Sequence, residues 1–290
     1  MDGQPRPRRW SRLTPLLGVV PFTVFVVLFL VVPTLVVVIG SVLTPGNTFT
    51  VSNLSALTDP TVLVAFRRSI VLSASTAVLG AVLGGLLAHA ISTARRDGLL
   101  RRAVTAASGV LAQFGGVTLA FAFLATVGLQ GVVTLLLKDL GLNIFAGGVW
   151  LFELPGLVLV YTYFQIPLMV IVFLPALDGL RVQWREASDS LGGSTWHYWR
   201  HVGGPLLLPS FLGSTLLLFA NAFSSYATAA ALVSQGALIV PLQIRAALSS
   251  EVVLGRADLA KALALGMVIV VAVVMTAYAL LQRRTSRWLS

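Results

Sequence analysis

Residues able to do chemistry are sparse in this 290-residue chain and fall into three groups. His197 and His201 stand four apart, which on a helix puts two imidazoles on one face and is a possible metal-ligand spacing. No adjacent carboxylate or cysteine completes a ligand set, so the pair reads as a solvated basic face and no metal site is expected. The second group is neutral and polar within apolar runs: Gln113, Tyr161, Tyr163, Gln165, Asn221, Ser224, Ser225, Tyr226 and Thr228. In lipid such groups either hydrogen-bond one helix to another or face a polar path. Gln113, Tyr161, Gln165, Asn221, Ser224, Ser225 and Tyr226 are the candidates for lining a solute path. The third group is the loop from Asp178 to Pro205, the longest polar interruption of the sequence, which carries Trp184, Trp196 and Trp199. No serine, histidine and acid combination suggests hydrolysis. No G-x-x-x-x-G-K-[ST] run is present to cradle nucleotide phosphates.

These groups are positioned by hydrocarbon. Apolar residues make up 57% of the chain and charged residues 10%, which excludes an ordinary soluble domain. A bilayer core of about 30 Å needs about 20 apolar residues per helix. The charge-free runs predict an all-α, polytopic membrane protein, one domain over 1–290, with six transmembrane helices near 15–42, 69–93, 104–127, 156–177, 206–233 and 259–281. The first run is too long for a signal-peptide core and is read as a retained span, kinked or broken near Pro21 and Pro33. In the second, Ser69, Ser73, Ala77, Ala81 and Gly85 recur every four residues, as do Thr76, Gly80, Gly84 and Ala88, a period suited to close helix packing. His89, near its end, reads as interfacial. Ser234 to Asp258 reads as a polar loop in which Ile239 to Leu248 can hold a short interfacial helix.

The net charge of +10 follows topology instead of nucleic acid, because the arginines flank apolar runs. With the N-terminus inside and six spans, fourteen of the twenty Lys and Arg face the cytoplasm and six face outward. This bias puts both termini and the Asp178–Pro205 loop inside. Ionisable residues are nearly absent from mid-span, which argues against a proton-coupled carrier. The absence of cysteine excludes disulfides.

The loop itself reads as two short helices. Trp184 to Leu191 ends at Gly192-Gly193, where glycine suits a left-handed C-cap. Ser194 or Thr195 can cap a second helix, Trp196 to Val202, stopped by Gly203-Gly204-Pro205.

Glu186-Ala187-Ser188, three residues, Gly192, nine residues, Val202, one residue, Gly204-Pro205 resembles the EAA loop of ABC-transporter permeases. In that pattern E-A-A is followed by three residues, Gly, nine residues, Ile, any residue and Leu-Pro. Ser188, Val202 and Gly204 stand where the family has Ala, Ile and Leu. The resemblance implies a cytoplasmic helix-turn-helix coupling loop that docks on a separate ATPase, with Glu186, Ala187, Ser188, Gly192, Trp196, Trp199 and Pro205 as coupling residues. It implies a non-enzymatic permease subunit of an importer in the cytoplasmic (inner) membrane. Its expected partners are a second permease, two ATP-binding subunits, an extracytoplasmic solute-binding protein and lipid, with ATP and Mg bound by the partner ATPase. This chain is expected to bind no cofactor and no nucleic acid. The layout looks most like permeases for polyamines, ferric iron, thiamine or phosphonates. Sugar importers are the runner-up, and an ATP-independent secondary carrier is the alternative from another class.

Overall fold

The computed structural model describes residues 14–42, 56–95, 97–233, 239–249 and 256–286, and within them the side chains of 14–18, 56, 256–258 and 282–286 are left aside. Both chain ends, most of the 44–60 loop, Arg96 and Arg287 lie outside the described residues. The described residues form helices and no strand.

The first apolar run is α1 (Thr14–Val26) and α2 (Val32–Ser41), joined by a wide π turn at Val27–Val31. That turn lies just ahead of Pro33, whose ring and missing N–H cannot fit a regular i→i−4 ladder. From Val19 to Ser41 hardly a residue is buried, and α2 touches the rest of the molecule beside Lys261.

The second helix, α3, runs from Pro60 to Ser92 and starts well before the expected Ser69. Asp59 caps it by accepting from the Thr61 N–H at 2.8 Å and its hydroxyl at 2.6 Å, and Pro60 pre-sets the first helical φ. The Thr61 hydroxyl and N–H hold the Asp59 carboxyl below the usual range. Arg67 and Arg68 therefore sit on the helix, exposed, and do not mark its edge. The small-residue stripes are buried against α7 (Leu154–Asp178), whose start falls near the expected 156. A Cβ on Gly80 would lie 2.6 Å from the Gln165 Cβ, and one on Gly84 would lie 2.5 Å from the Ile166 carbonyl oxygen. Only glycine permits that approach.

The expected third span, 104–127, departs from expectation. It is two helices, α4 (Leu99–Gln113) and α5 (Gly116–Val127), parted at Phe114-Gly115. Gly116 has φ +75°, which ends a right-handed ladder. Length and hydropathy alone would start the third crossing at Gly116 and continue it through α6 (Val132–Asp139). Packing decides for α4 plus α5. Arg101 of α4 pairs with Asp178 at the end of α7, and Val104 packs on the cluster holding Phe173, Leu174 and Leu177. Leu119 and Ala120 of α5 join the cluster holding Leu157, Val160 and Tyr161. The pair thus runs antiparallel to α7 along most of its length.

After α7 come α8 (Val182–Ser190) and α9 (Thr195–Tyr198), then α10 (Gly204–Ser224) and α11 (Ala227–Leu232). The expected fifth span, 206–233, is therefore broken at Ser225-Tyr226, where Ser225 is extended. The two breaks face each other: the Gly116 N–H donates to the Thr228 hydroxyl at 2.8 Å. The short helix expected within Ile239–Leu248 is α12 (Val240–Leu248). Its Val240 N–H donates to the buried Ser69 hydroxyl at 2.9 Å, which clamps it to α3. The last helix, α13 (Arg256–Ser286), extends beyond the expected 259–281 at both ends. Two apolar clusters stack along α7, and a third, with Val62, Ala65, Val240 and Leu263, lies at the start of α3.

Candidate functional site

The loop after α7 is built on a complete helix-terminating motif. The Gly192 N–H donates to the Asp189 carbonyl at 3.0 Å and the Gly193 N–H to the Ser188 carbonyl at 2.9 Å. This is the Schellman pattern, and Gly192 supplies the positive φ of +78° that it requires. Open space surrounds the position where a Gly192 Cβ would stand, so conformation alone selects glycine there. Ser194, rather than Thr195, caps the next helix by accepting from the His197 N–H at 3.3 Å.

The expected stop at Gly203-Gly204-Pro205 is absent. Trp199–Gly203 form a π turn that carries α9 directly into α10. The reason is geometric. Pro205 has no N–H to give and falls in the first turn of α10, where none is needed. Gly204 donates to the Trp199 carbonyl, one residue further back than in an α-helix, and a Cβ there would meet the same oxygen well inside 3.0 Å. The short helix α9 and α10 are thus one continuous rod with a widened turn.

The candidate loop residues divide by exposure. Glu186, Ala187 and Gly192 are exposed, as is Trp196 at 71%. Glu186 makes no ion pair with any described residue. Trp199 instead turns inward, meeting the His89 ring edge-on at 5.1 Å, and Tyr198 is buried. His89 therefore joins the end of α3 to the loop. A groove of about 550 Å³ between the short helices is lined by Trp184, Ala187, Leu191, His197 and Val202. Ser188 is buried at its wall with an unpartnered Oγ. Trp184 lies 5.8 Å from the Arg181 guanidinium. His197 and His201 stack at 4.3 Å with both rings exposed, and no metal-competent cluster occurs among the described residues.

The candidates for a solute path are brought together only in part. Tyr161 is buried, and its hydroxyl donates to the Ser225 carbonyl at 2.8 Å. Gln165 is buried, and its Nε2 donates to the Leu218 carbonyl at 2.7 Å. Both tie α7 to the fifth span. Ser224 returns its hydroxyl to Ala220 of its own helix at 2.6 Å. Asn221, Ser224 and Tyr226 are exposed around the α10–α11 break, with Ser225 half-buried, whereas Gln113 is exposed at the end of α4, beside the other break. Sequence reasoning missed Arg101, whose side chain is 12% exposed and pairs with Asp178 immediately before the loop. Its position within RRDGLLRR looked like one topology signal among four.

No family model matches the chain. The likeness in sequence is to transport-system permease proteins. The thiamine transport system permease protein ThiP of Escherichia coli (strain K12) is 31% identical over 111 residues, 37% of this chain and 20% of that protein. A probable sulfate transport system permease protein, cysT, of Zygnema circumcarinatum is 28% identical over 174 residues, 59% of this chain and 57% of that one. The chain thus spans less than two thirds of either relative's length. Its fold is that of a chain from a bacterial alginate ABC transporter, solved in complex with an alginate pentasaccharide-bound periplasmic protein. That chain has a TM-score of 0.67 at 17% identity, with 96% of this chain and 98% of that one covered. A second structure, of an ABC transporter importing the acidic polysaccharide alginate, gives 0.64 at 16% identity over 97% and 99%. Sequence relatives and fold therefore agree with the ABC-permease resemblance of the loop.

Proposed function

We propose that this chain is the membrane-spanning permease subunit of an ATP-driven importer of a small polar solute. One observation carries the reading: a Schellman-hinged pair of short helices, exposed at Glu186, Ala187 and Trp196, runs without a stop into a span. A push on α9 is transmitted along the π turn into α10, and through Trp199 and His89 into α3. The ATP site belongs to a partner subunit that docks on Glu186, Ala187 and Gly192, with Ser188 buried in the wall of the groove behind them, and a second permease completes the pore. A solute-binding protein delivers from outside. Both termini and the loop are cytoplasmic in this reading, as the basic residues suggest. Asn221, Ser224 and Tyr226 are the side chains offered to the path, and Tyr161 and Gln165 hold the helices that frame it.

Polyamine, ferric iron, thiamine and phosphonate remain proposed solute classes, with thiamine supported by one relative's name. A sugar importer is the second reading, favoured by the fold shared with alginate transporters. The test is solute-stimulated ATP hydrolysis by the complex purified with its ATP-binding subunits in bilayers. Ala187→Trp should leave the chain inserted yet lower that stimulation at least tenfold. Undiminished coupling in Ala187→Trp together with Glu186→Lys would overturn the docking role.

A further inference from the structure

Beside the α10–α11 break lies an outer cavity of about 490 Å³ that the coupling mechanism does not use. Tyr226 enters it from the break, Arg245 and Ser249 from α12, and Met267 from α13, with Pro241 and Ile244 as its floor. Its frame is fixed. Pro241 and Leu242 are buried, Val240 is clamped to Ser69, and the Gln243 amide donates to the Thr61 carbonyl at 3.2 Å. Arg245 is exposed, and no described carboxylate pairs with it. A cation in the last turn of α12 suits the helix dipole. The dipole does not account for a guanidinium and a phenol at the mouth of one cavity, next to the unwound turn of the fifth span.

The rest of the crossing sharpens the charge. Between Pro60 and Ser92, Leu99 and Val127, Leu154 and Leu177, Gly204 and Val233, and Leu259 and Leu281 there is no Asp or Glu. A cationic solute would meet no counter-charge within these spans, and the ionised side chain that lines this cavity is Arg245. An oxyanion would meet a guanidinium able to hold it by paired N–H donors, with the Tyr226 phenol alongside, while the Ser249 hydroxyl turns back to the Arg245 carbonyl and marks the rim.

We infer that Tyr226, Arg245 and Ser249 form an entry subsite for an oxyanionic solute: a sulfate, phosphonate or carboxylated sugar. This rests on the importer reading and narrows its solute class. Two of the proteins similar to this chain carry names of anionic cargo, sulfate and acidic alginate. Polyamine and thiamine, both cations, are disfavoured on the same grounds.

The chain has no cysteine, which allows a test that needs no ATPase. Ser249→Cys, inserted in vesicles of uncharged phosphatidylcholine, is labelled with matched anionic and cationic methanethiosulfonates. A unit charge one helical turn away in a wet site should favour the anionic reagent about fivefold. Arg245→Gln should bring the ratio near one, and Arg245→Lys should restore it. Millimolar sulfate or digalacturonate should slow labelling by a neutral reagent, whereas spermidine, maltose and chloride of equal ionic strength should not. A ratio near one in the parent, or protection by spermidine alone, would overturn the inference. So would a charge preference without anion protection, which would mean surface charge only. Failure of ATP coupling with the labelling pattern intact would instead strike the importer reading and leave this site standing.

Discussion

Replacing Gly204 with leucine restores the residue that the permease pattern has at this position, and changes toward a consensus commonly stabilise. Here the structure requires the opposite. The Gly204 Cβ would meet the Trp199 carbonyl oxygen far inside ordinary contact, and both atoms belong to backbone, so neither can swing away. One escape is to tolerate the overlap, which for overpacked sites costs about 1–3 kcal/mol. The other is to convert the π turn to α-helical pairing. That removes one residue from the turn, and so rotates α8 and α9 by about 100° and shifts them about 1.5 Å relative to α10. Tyr198 would lose its buried position and Trp199 its edge contact with His89. Either route predicts a loss of about 1–3 kcal/mol, or about five- to 150-fold in the folded-to-unfolded ratio. Gly204→Ala should behave like Gly204→Leu, because the Cβ alone causes the clash. Equilibrium unfolding in detergent measures the first effect. Spin labels at Thr195 and Ala90, both exposed, measure the second. Parent-like stability together with an unchanged label distance would refute the π-turn account.

Other outcomes follow from the same contacts. Gly192→Val should cost about 1–2 kcal/mol from left-handed strain alone, since no atom stands near its Cβ; it should leave insertion normal and lower coupled ATP hydrolysis. Gln165→Leu should lose about 1 kcal/mol or less, with uptake retained, if the amide only ties α7 to Leu218; loss of uptake at normal assembly would make Gln165 a path residue. Arg101→Ala should destabilise more than Arg102→Ala, because Arg101 pairs at 12% exposure whereas Arg102 sits at 69%; equal unfolding midpoints would contradict this. Single cysteines at Lys138 and Ser249 should react with an impermeant reagent on intact cells and one at Ser194 should not; the reverse pattern would invert the proposed topology.

The parts of the fold written in hydropathy were legible in the sequence, and those written in backbone geometry were not. Apolar runs give the number of spans because bilayer thickness sets their length. The stripe Ser69 to Gly85 gives a packing face because small residues have no other reason to recur every four positions. Gly192 was legible because a capping glycine followed by Ser194 has a local signature. The start of α3 was not, because Arg67 and Arg68 imitate a span edge while the true signal, Asp59-Pro60, lies eight residues earlier. The π turn was hidden because Gly-Gly-Pro is the ordinary mark of a helix stop, and only the one-residue offset of the Trp199 carbonyl turns it into continuity. The breaks at Gly115 and Ser225 were hidden for a different reason. Each is held by a contact remote in sequence, Gly116 to Thr228 and Tyr161 to Ser225. The candidates for a solute path were chosen by type alone, and type could not separate Tyr161 and Gln165, spent on helix contacts, from Asn221 and Tyr226, left exposed.

The closeness of α3 and α7 at Gly80 and Gly84 bears on how such a molecule moves. Two helices whose backbones touch, with a carbonyl oxygen filling the place of a missing methyl, cannot slide or roll past one another without collision. They behave as a single beam. Any rocking driven from the loop therefore has to carry α3 and α7 together, and the bending must be absorbed elsewhere, at joints where the ladder is already interrupted. Among the described residues two such joints flank that beam, Phe114-Gly115 and Ser225-Tyr226, and the Gly116–Thr228 hydrogen bond links them. Gly84→Ala should force the beam apart and alter the inward–outward balance, whereas Thr228→Val should unlink the joints and leave the beam intact. Distances between paired labels on α5 and α11, followed through the ATP cycle, would tell a linked hinge from two independent ones.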